Sequence, residues 1–183
     1  EKRLWILRHA QTGGIGAEVG VFRGHFSEIL IDVLKPRKIY LIDLWTKLGE
    51  FFPKWGSYTN EGKLPTKLAL SEVELRARRF PSVEIKIVEG YAINELQKIP
   101  EKLDWIYVDA SHDYDNVLKD LHAAAAILKP KGVIMGDDWY PNPALLHHGV
   151  FRAVQDFVRT TDFQIIVAGQ GAQYCLRRRP SYS

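Results

Sequence analysis

The sequence predicts an α/β protein: a doubly wound, Rossmann-like, mostly parallel seven-stranded sheet with a final antiparallel strand. Three observations predict it. Short apolar runs alternate with stretches of helical period along nearly the whole chain. The first strand passes through Gly20 and Gly24 straight into a helix. The last two apolar runs, residues 164–168 and 172–176, are joined by GQG, a tight connection suited to an antiparallel pair.

The elements follow in order. Trp5, Ile6 and His9 fall at near-helical spacing and suggest a short leading helix, broken by Gly13, Gly14 and Gly16. Residues 17–21 read as the first core strand and 25–34 as a helix that stops before Pro36. KIYLI at 38–42 is the second strand, closed by Asp43. Residues 45–65 are irregular and carry five aromatics, Trp45, Phe51, Phe52, Trp55 and Tyr58. So long an aromatic loop reads either as a lid over a ligand or as a cover packed on the sheet edge. Residues 66–80 read as a helix with Leu68, Val73, Leu75 and Ala77 inward and Arg76, Arg78 and Arg79 outward.

EIKIV at 84–88 is the third strand, followed by Gly90, Tyr91 and a helix start at 92–96. WIYV at 105–108 is the fourth, closed by Asp109. The stretch after it is a helix that starts acidic and carries Lys129 near its end, as the helix dipole prefers, with Pro130 and Gly132 as its stop. GVIMG at 132–136 is the fifth strand, closed by Asp137 and Asp138, and residues 150–159 form an amphipathic helix.

A chain of 183 residues suits a single domain spanning 1–183. A domain of that size buries roughly 70% of its unfolded surface, so it needs no disulfide or structural metal to hold it. Cys175 is the only cysteine, which excludes a disulfide framework and a CxxC zinc site. It lies in an apolar run and reads as a buried thiol. Lysine plus arginine is 25 and aspartate plus glutamate 22, a net +3 that is too small to argue for nucleic acid. Arginines 177–179 supply part of that excess and read as a solvated tail. No apolar run reaches the length of a membrane span and no signal-peptide pattern opens the chain. A cytoplasmic protein without membrane or nucleic-acid partners is expected, and a homo-oligomer is left open.

The stretch AEVGVFRGHFSEIL at 17–30 reads either as a ligand-binding corner or as an ordinary strand-to-helix turn that needed two glycines. Glycine lets a backbone approach a ligand closely, and a helix N-terminus offers N–H groups with a positive dipole end. Its spacing is E-x-G-x-x-x-G; neither the dinucleotide fingerprint nor the phosphate loop is present. Asp43, about 20 residues on from this corner, is placed to accept ribose hydroxyls, or else to cap a helix. Acids recur at the strand ends: Glu18, Asp43, Glu89, Asp109, and Asp137 with Asp138. Such carboxylates repel unless hydroxyls, cations or a metal balance them, which favours a cationic or metal-assisted ligand.

These residues carry a family resemblance. EVGVFRG at 18–24 and YLIDLW at 40–45 resemble two motifs of the class I S-adenosylmethionine-dependent methyltransferases. VDASHDYDNVLKDL at 108–121, LKPKGVIMGDDWY at 128–140 and GVFRAVQDFV at 149–158 resemble, more narrowly, the small bacterial O-methyltransferases that act on sugar hydroxyls of macrolides and aminocoumarins and on catechols. Ala110 stands where many of those relatives have glycine. The resemblance runs from residue 17 to 176. It implies the class I methyltransferase fold, S-adenosylmethionine as cofactor and a small-molecule hydroxyl acceptor. It implies that Glu18 lies by the methionine amino group, that Gly20 and Gly24 pack on the methionine and ribose, and that Asp43 accepts from the ribose. It also implies that Gly90 and Tyr91 border the adenine, with Asp109 near the cofactor, and leaves Leu44 and Trp45 as candidate wall residues.

Asp109, Asp137 and Asp138 end neighbouring strands, and as hard oxygen ligands they suit Mg2+. The resemblance implies the same three ligands; capping of the following segments is the competing role. His112 is either a general base for the acceptor hydroxyl or a loop-fixing residue, with His147 and His148 as alternatives of which one at most faces the site. Against methyl transfer stand an NAD-type oxidoreductase and a non-catalytic nucleotide-binding module.

Overall fold

The computed structural model describes residues 3–180; positions 1–2 and 181–183 of the expected domain lie outside the described residues. Seven strands form one sheet: β1 Ile15–Val19, β2 Lys38–Asp43, β3 Glu84–Glu89, β4 Leu103–Val108, β5 Leu128–Gly136, β6 Phe163–Ala168 and β7 Tyr174–Arg178. Their order is β3-β2-β1-β4-β5-β7-β6. The first five run parallel, and β7 lies antiparallel between β5 and β6. Thus the last strand is inserted one place in from the edge, and β6 takes the edge itself.

Helices cover both faces. The helices are α1 Leu4–Leu7, α2 His25–Leu34, α3 Thr66–Ala77, α4 Ala92–Glu95, α5 Tyr114–Ile127 and α6 His148–Thr160. Strand β4 shows why two layers are needed: Trp105 and Tyr107 point into one core with Ile6, Phe26, Leu30 and Val73, whereas Ile106 and Val108 point into the other with Val117, Leu121, Val154 and Phe157. Successive strand residues face opposite sides, and a central parallel strand buries both. Cys175 is fully buried in the first of these cores, where burial pushes its thiol up to about 12.

Several expectations move. The first strand begins at Ile15 and ends at Val19, not at 17–21, because Gly16 is no breaker: it sits flat under the Trp105 indole, where a side chain would collide with the ring. Helix α5 ends at Ile127 and β5 begins at once, so Lys129 is not on a helix. It pairs with Asp104 at 2.8 Å, and Asp104 in turn accepts from the Ile15 N–H at 2.8 Å. Pro130 is tolerated in the strand because pairing with β4 shifts register between Leu103 and Trp105, leaving the proline in an irregularity without a ladder partner.

Helix α3 buries Thr66, Ala69 and Val73, whereas Leu68 and Leu75 are exposed. Its inward stripe runs i, i+3/i+4, i+7 from Thr66, and Leu68 and Leu75 share a different face. Arg76 belongs to the packed side: its guanidinium reaches Glu28 at 2.5 Å and the Arg23 carbonyl at 3.0 Å. The arginines at 177–179 are no solvated tail. Arg177 and Arg178 lie in β7, Arg178 bonds the Ala125 carbonyl at 2.7 Å, and the Arg179 N–H meets the Asp162 carbonyl at 2.7 Å.

Candidate active site

The sheet register fixes where the site lies. Val19 is abreast of Ile42 and of Val108, and Val108 is abreast of Gly136. The residues that follow, Gly20, Asp43, Asp109 and Asp137, therefore line one edge at one level. The strand order reverses between β1 and β4, and such a switch point opens a ligand crevice at the carboxyl ends of the strands.

At the glycine corner, Gly20 has φ +89° and Gly24, with φ +77°, caps the N-terminus of α2. Between them Phe22 also has a positive φ, +54°, which is unfavourable for a residue with a Cβ. Three contacts hold it there. The Val21 and Phe22 N–H groups donate to Asp43 Oδ2 at 2.8 and 2.6 Å, and the Trp45 indole N–H donates to the Phe22 carbonyl at 2.7 Å. Asp43 Oδ1 accepts from the Leu44 N–H at 2.6 Å. Burial pushes the Asp43 carboxyl up, and the backbone donors Phe22, Leu44 and Val21 offset part of that. Asp43 thus clamps the glycine loop to β2; its Oδ2 is filled by two donors, and Oδ1 retains room for a further one.

Glu18 is buried on β1 and accepts from the Ser27 hydroxyl of α2. Burial raises its carboxyl to about 8, against the pull of Ser27 and with a push from Asp109. The folded protein therefore keeps a proton that the unfolded chain releases above its ordinary 4.5. The stability this contributes is complete below that value and is lost as pH rises through 8. The urea midpoint of the unliganded protein should fall between pH 5 and 8, and Glu18→Gln should flatten that fall. Asp109, raised to about 7 by burial and by Asp137, adds a slope of the same sign that survives in the variant.

The acids beyond β4 and β5 divide into two groups. Asp109 and Asp137 share Arg3, whose Nη1 lies 3.0 Å from Asp109 and 3.6 Å from Asp137, while its guanidinium stacks 4.4 Å over Phe26. Asp138, with φ +62°, turns instead to two imidazoles: His112 Nε2 at 2.8 Å and His147 Nδ1 at 2.9 Å, both on Oδ2. The hydrogen bond to Asp138 raises His112 above the ordinary histidine value despite burial. Burial alone would raise Asp138, but the bonds from His112 and His147 outweigh it and hold the carboxyl low. His148 faces elsewhere, its Nδ1 2.9 Å from the Tyr140 carbonyl. The three carboxylates Asp109, Asp137 and Asp138 thus share an edge but do not converge on one point; among the described residues the one such grouping is His112, Asp138 and His147.

The aromatic loop roots at this edge. It forms two 3₁₀ turns, Trp45–Leu48 and Gly56–Thr59, joined back to the chain by a bridge between Phe51 and Pro65. Tyr58 stacks on Phe22 at 4.2 Å with rings 20° apart, and Phe52 meets Phe22 edge-on at 5.1 Å. Trp45 is fully buried beneath the corner and is no wall residue, whereas Tyr58 and Trp55 are exposed. Although Tyr58 as a residue is exposed, its hydroxyl is pushed up to about 12, first by local desolvation and then by Asp109 and Asp43. Glu89 is not free at its strand end; it accepts from the Thr46 N–H at 3.0 Å and hydroxyl at 2.6 Å, fastening β3 to the first turn. The Gly90 N–H donates to the Asp43 carbonyl at 2.9 Å, and Tyr91 is largely exposed on the same rim. Arg3, Ser27 and Phe22 carried no sequence signal as site residues, since each acts through a fold contact and none through a motif.

Known proteins give this architecture a place. A methyltransferase from Podospora anserina in its SAH-bound form superposes with TM-score 0.68 at 12% identity, over 97% of this chain and 76% of that one. The O-methyltransferase TomG of Streptomyces achromogenes, involved in tomaymycin synthesis and solved with SAM, gives 0.66 at 16%, over 98% and 79%. A putative methyltransferase of Streptococcus mutans in complex with SAH gives 0.65 at 12%, over 96% and 97%. The fold is therefore that of the class I methyltransferases. No curated protein sequence is a significant match. The family model described as "Methyltransferase domain" matches residues 17–139, from the first strand through the acids after β5, and the chain belongs to that family.

Proposed function

We propose that this methyltransferase moves the methyl group of S-adenosylmethionine to a hydroxyl oxygen of a small molecule, a sugar or a phenol, as one catalytic domain in the cytoplasm. The observation that carries the reading is the His112–Asp138 pair at 2.8 Å, set on the same strand edge as the glycine corner. A histidine whose ring is oriented by a carboxylate is the arrangement a general base needs. His112 Nε2 faces Asp138, which leaves Nδ1 to accept the acceptor's proton as its oxygen takes the methyl group. The bound cofactor supplies an electrophilic methyl on a sulfonium, which leaves as a neutral thioether.

Glu18 would give up its proton to solvent as the cofactor binds and, once ionised, would neutralise the methionine amino group. Gly20 and Gly24 would admit the methionine and ribose, Asp43 would accept a ribose hydroxyl on the lone pairs its backbone donors leave, and Gly90 and Tyr91 would border the base. Tyr58 and Trp55 offer exposed faces on which an acceptor ring can stack. Asp43→Ala should weaken S-adenosylhomocysteine binding by about 1.5–3 kcal/mol, the value of a charge-assisted hydrogen bond, as read by calorimetry. Wild-type affinity in that variant would sink the ribose role.

Magnesium belongs to the same proposal. Asp109, Asp137 and Asp138 are hard oxygen donors of the kind that ion takes; Asp109 and Asp137 already draw a cation, the Arg3 guanidinium, and Asp138 would have to turn from its two imidazoles to join them. Bound there, the ion would acidify and orient the acceptor hydroxyl. A mass-spectrometric acceptor screen tests the reading, with added magnesium in one arm and chelator in the other. Gain of one methyl group supports it. Cofactor binding with no methylation of any hydroxyl would favour a non-catalytic binding module, and full turnover in chelator would remove the metal.

A further inference from the structure

We infer that His112, Asp138 and His147 form a nitrogen-containing metal site for a divalent transition metal of the zinc and cobalt class, which competes with the all-oxygen magnesium set proposed above for the shared ligand Asp138. Their ligand atoms lie within 4.8 Å of one another. Both imidazoles aim a ring nitrogen at one carboxylate oxygen, at 2.8 and 2.9 Å, from rings stacked 3.9 Å apart and 6° from parallel. Two histidines and one carboxylate form a three-ligand set that leaves coordination positions open, and imidazole nitrogens select zinc, cobalt, nickel or iron over magnesium and calcium. The three side chains keep 40%, 17% and 29% of their surface exposed, so water or a ligand oxygen can reach a bound ion.

The backbone holds the set in place before any ion arrives. Asp138 is fixed at φ +62° directly after β5. His147 is the N-cap of α6, and its neighbour His148 is tied to the Tyr140 carbonyl at 2.9 Å. Gly149 then lets the start of α6 press on the segment that carries His112: a methyl group on Gly149 would lie 2.5 Å from the His112 carbonyl oxygen and 2.9 Å from the Tyr114 nitrogen. The loop after β4 and the connection between β5 and α6 are thereby held against each other with the three ligands side by side.

Binding of the ion stands apart from methyl transfer, but the two meet at His112. If His112 is the base proposed above, a metal on Nε2 leaves the ring proton on Nδ1, and that nitrogen no longer accepts one. Zinc should then stop transfer, reversibly on chelation.

The test is titration of the chelator-stripped protein with Co2+, followed by visible absorption. One equivalent should develop a ligand-field band of a nitrogen-ligated site, which an equal concentration of Mg2+ does not displace. His112→Gln and His147→Gln, each checked for folding by circular dichroism, should each weaken Co2+ at least roughly tenfold, and Asp109→Asn should not. Gly149→Ala, which keeps every ligand, should weaken it as well. Ring protons of two histidines shifted by Co2+ in the wild-type NMR spectrum give the same reading without substitution. No band, a band indifferent to both histidine variants, or no shifted histidine protons would overturn the site. Because none of these readouts needs an acceptor or S-adenosylmethionine, failure of the methyl-transfer reading would leave the result standing.

Discussion

His112→Gln should lower kcat by about 10²–10⁴-fold, the range that a positioned general base contributes, while S-adenosylhomocysteine affinity stays near wild type. Glutamine keeps a polar group in the loop but accepts no proton at neutral pH. Asp138→Asn should fall in the same direction by less, since it leaves the imidazole in place and removes only the carboxylate that orients it and raises its pKa. The pH profile separates catalysis from scaffolding. The bond to Asp138 holds the imidazole above the ordinary histidine value, so kcat/KM should rise with pH through a pKa above that value as the base loses its proton. In Asp138→Asn the same limb should move to lower pH. A purely structural His112 would instead lower the urea midpoint and leave the profile's shape unchanged. Wild-type turnover in His112→Gln would place the base elsewhere.

The strand–helix rhythm, the glycine corner and the acids at strand ends were legible because each rests on local pattern: apolar period, glycine position, one polar residue closing an apolar run. The separation of the acids into two groups was not. It depends on Arg3, 106 residues away from Asp109 along the chain, and on the positive φ that turns Asp138 from its neighbour towards two imidazoles. The inward face of α3 was misread because its large residues, Leu68 and Leu75, lie outside the packed stripe, while the small Ala69 and the polar Thr66 lie within it. Trp45 looked like a wall residue from its place after Asp43; its indole N–H instead finds the Phe22 carbonyl and carries the ring into the core. Each of these misses is a tertiary contact overriding local character.

Gly20→Ala should destabilise the protein by about 2–5 kcal/mol, the sum of a left-handed backbone cost and of overpacking. At φ +89° a Cβ is already disfavoured. More important is where it would go: far inside van der Waals distance of the Asp109 carbonyl oxygen and the Ala110 Cα. Those are backbone atoms at the end of a buried strand, and they do not swing aside as a side-chain tip would. Relief requires β1 and β4 to part at their carboxyl ends, against the Asp109 N–H to Val19 carbonyl bond at 2.7 Å. Gly13 supplies the control. Its φ is +73° but nothing lies within 4 Å of the position a Cβ would take, so Gly13→Ala should cost only the conformational term, about 1–2 kcal/mol. Urea denaturation of the two variants isolates the close approach as their difference. The same parting of strands would pull Asp109 away from the glycine corner, so cofactor affinity in Gly20→Ala should fall even where enough folded protein remains to measure it. Equal costs at the two positions would show that the strand ends yield, and that the corner is not held as tightly as its geometry requires.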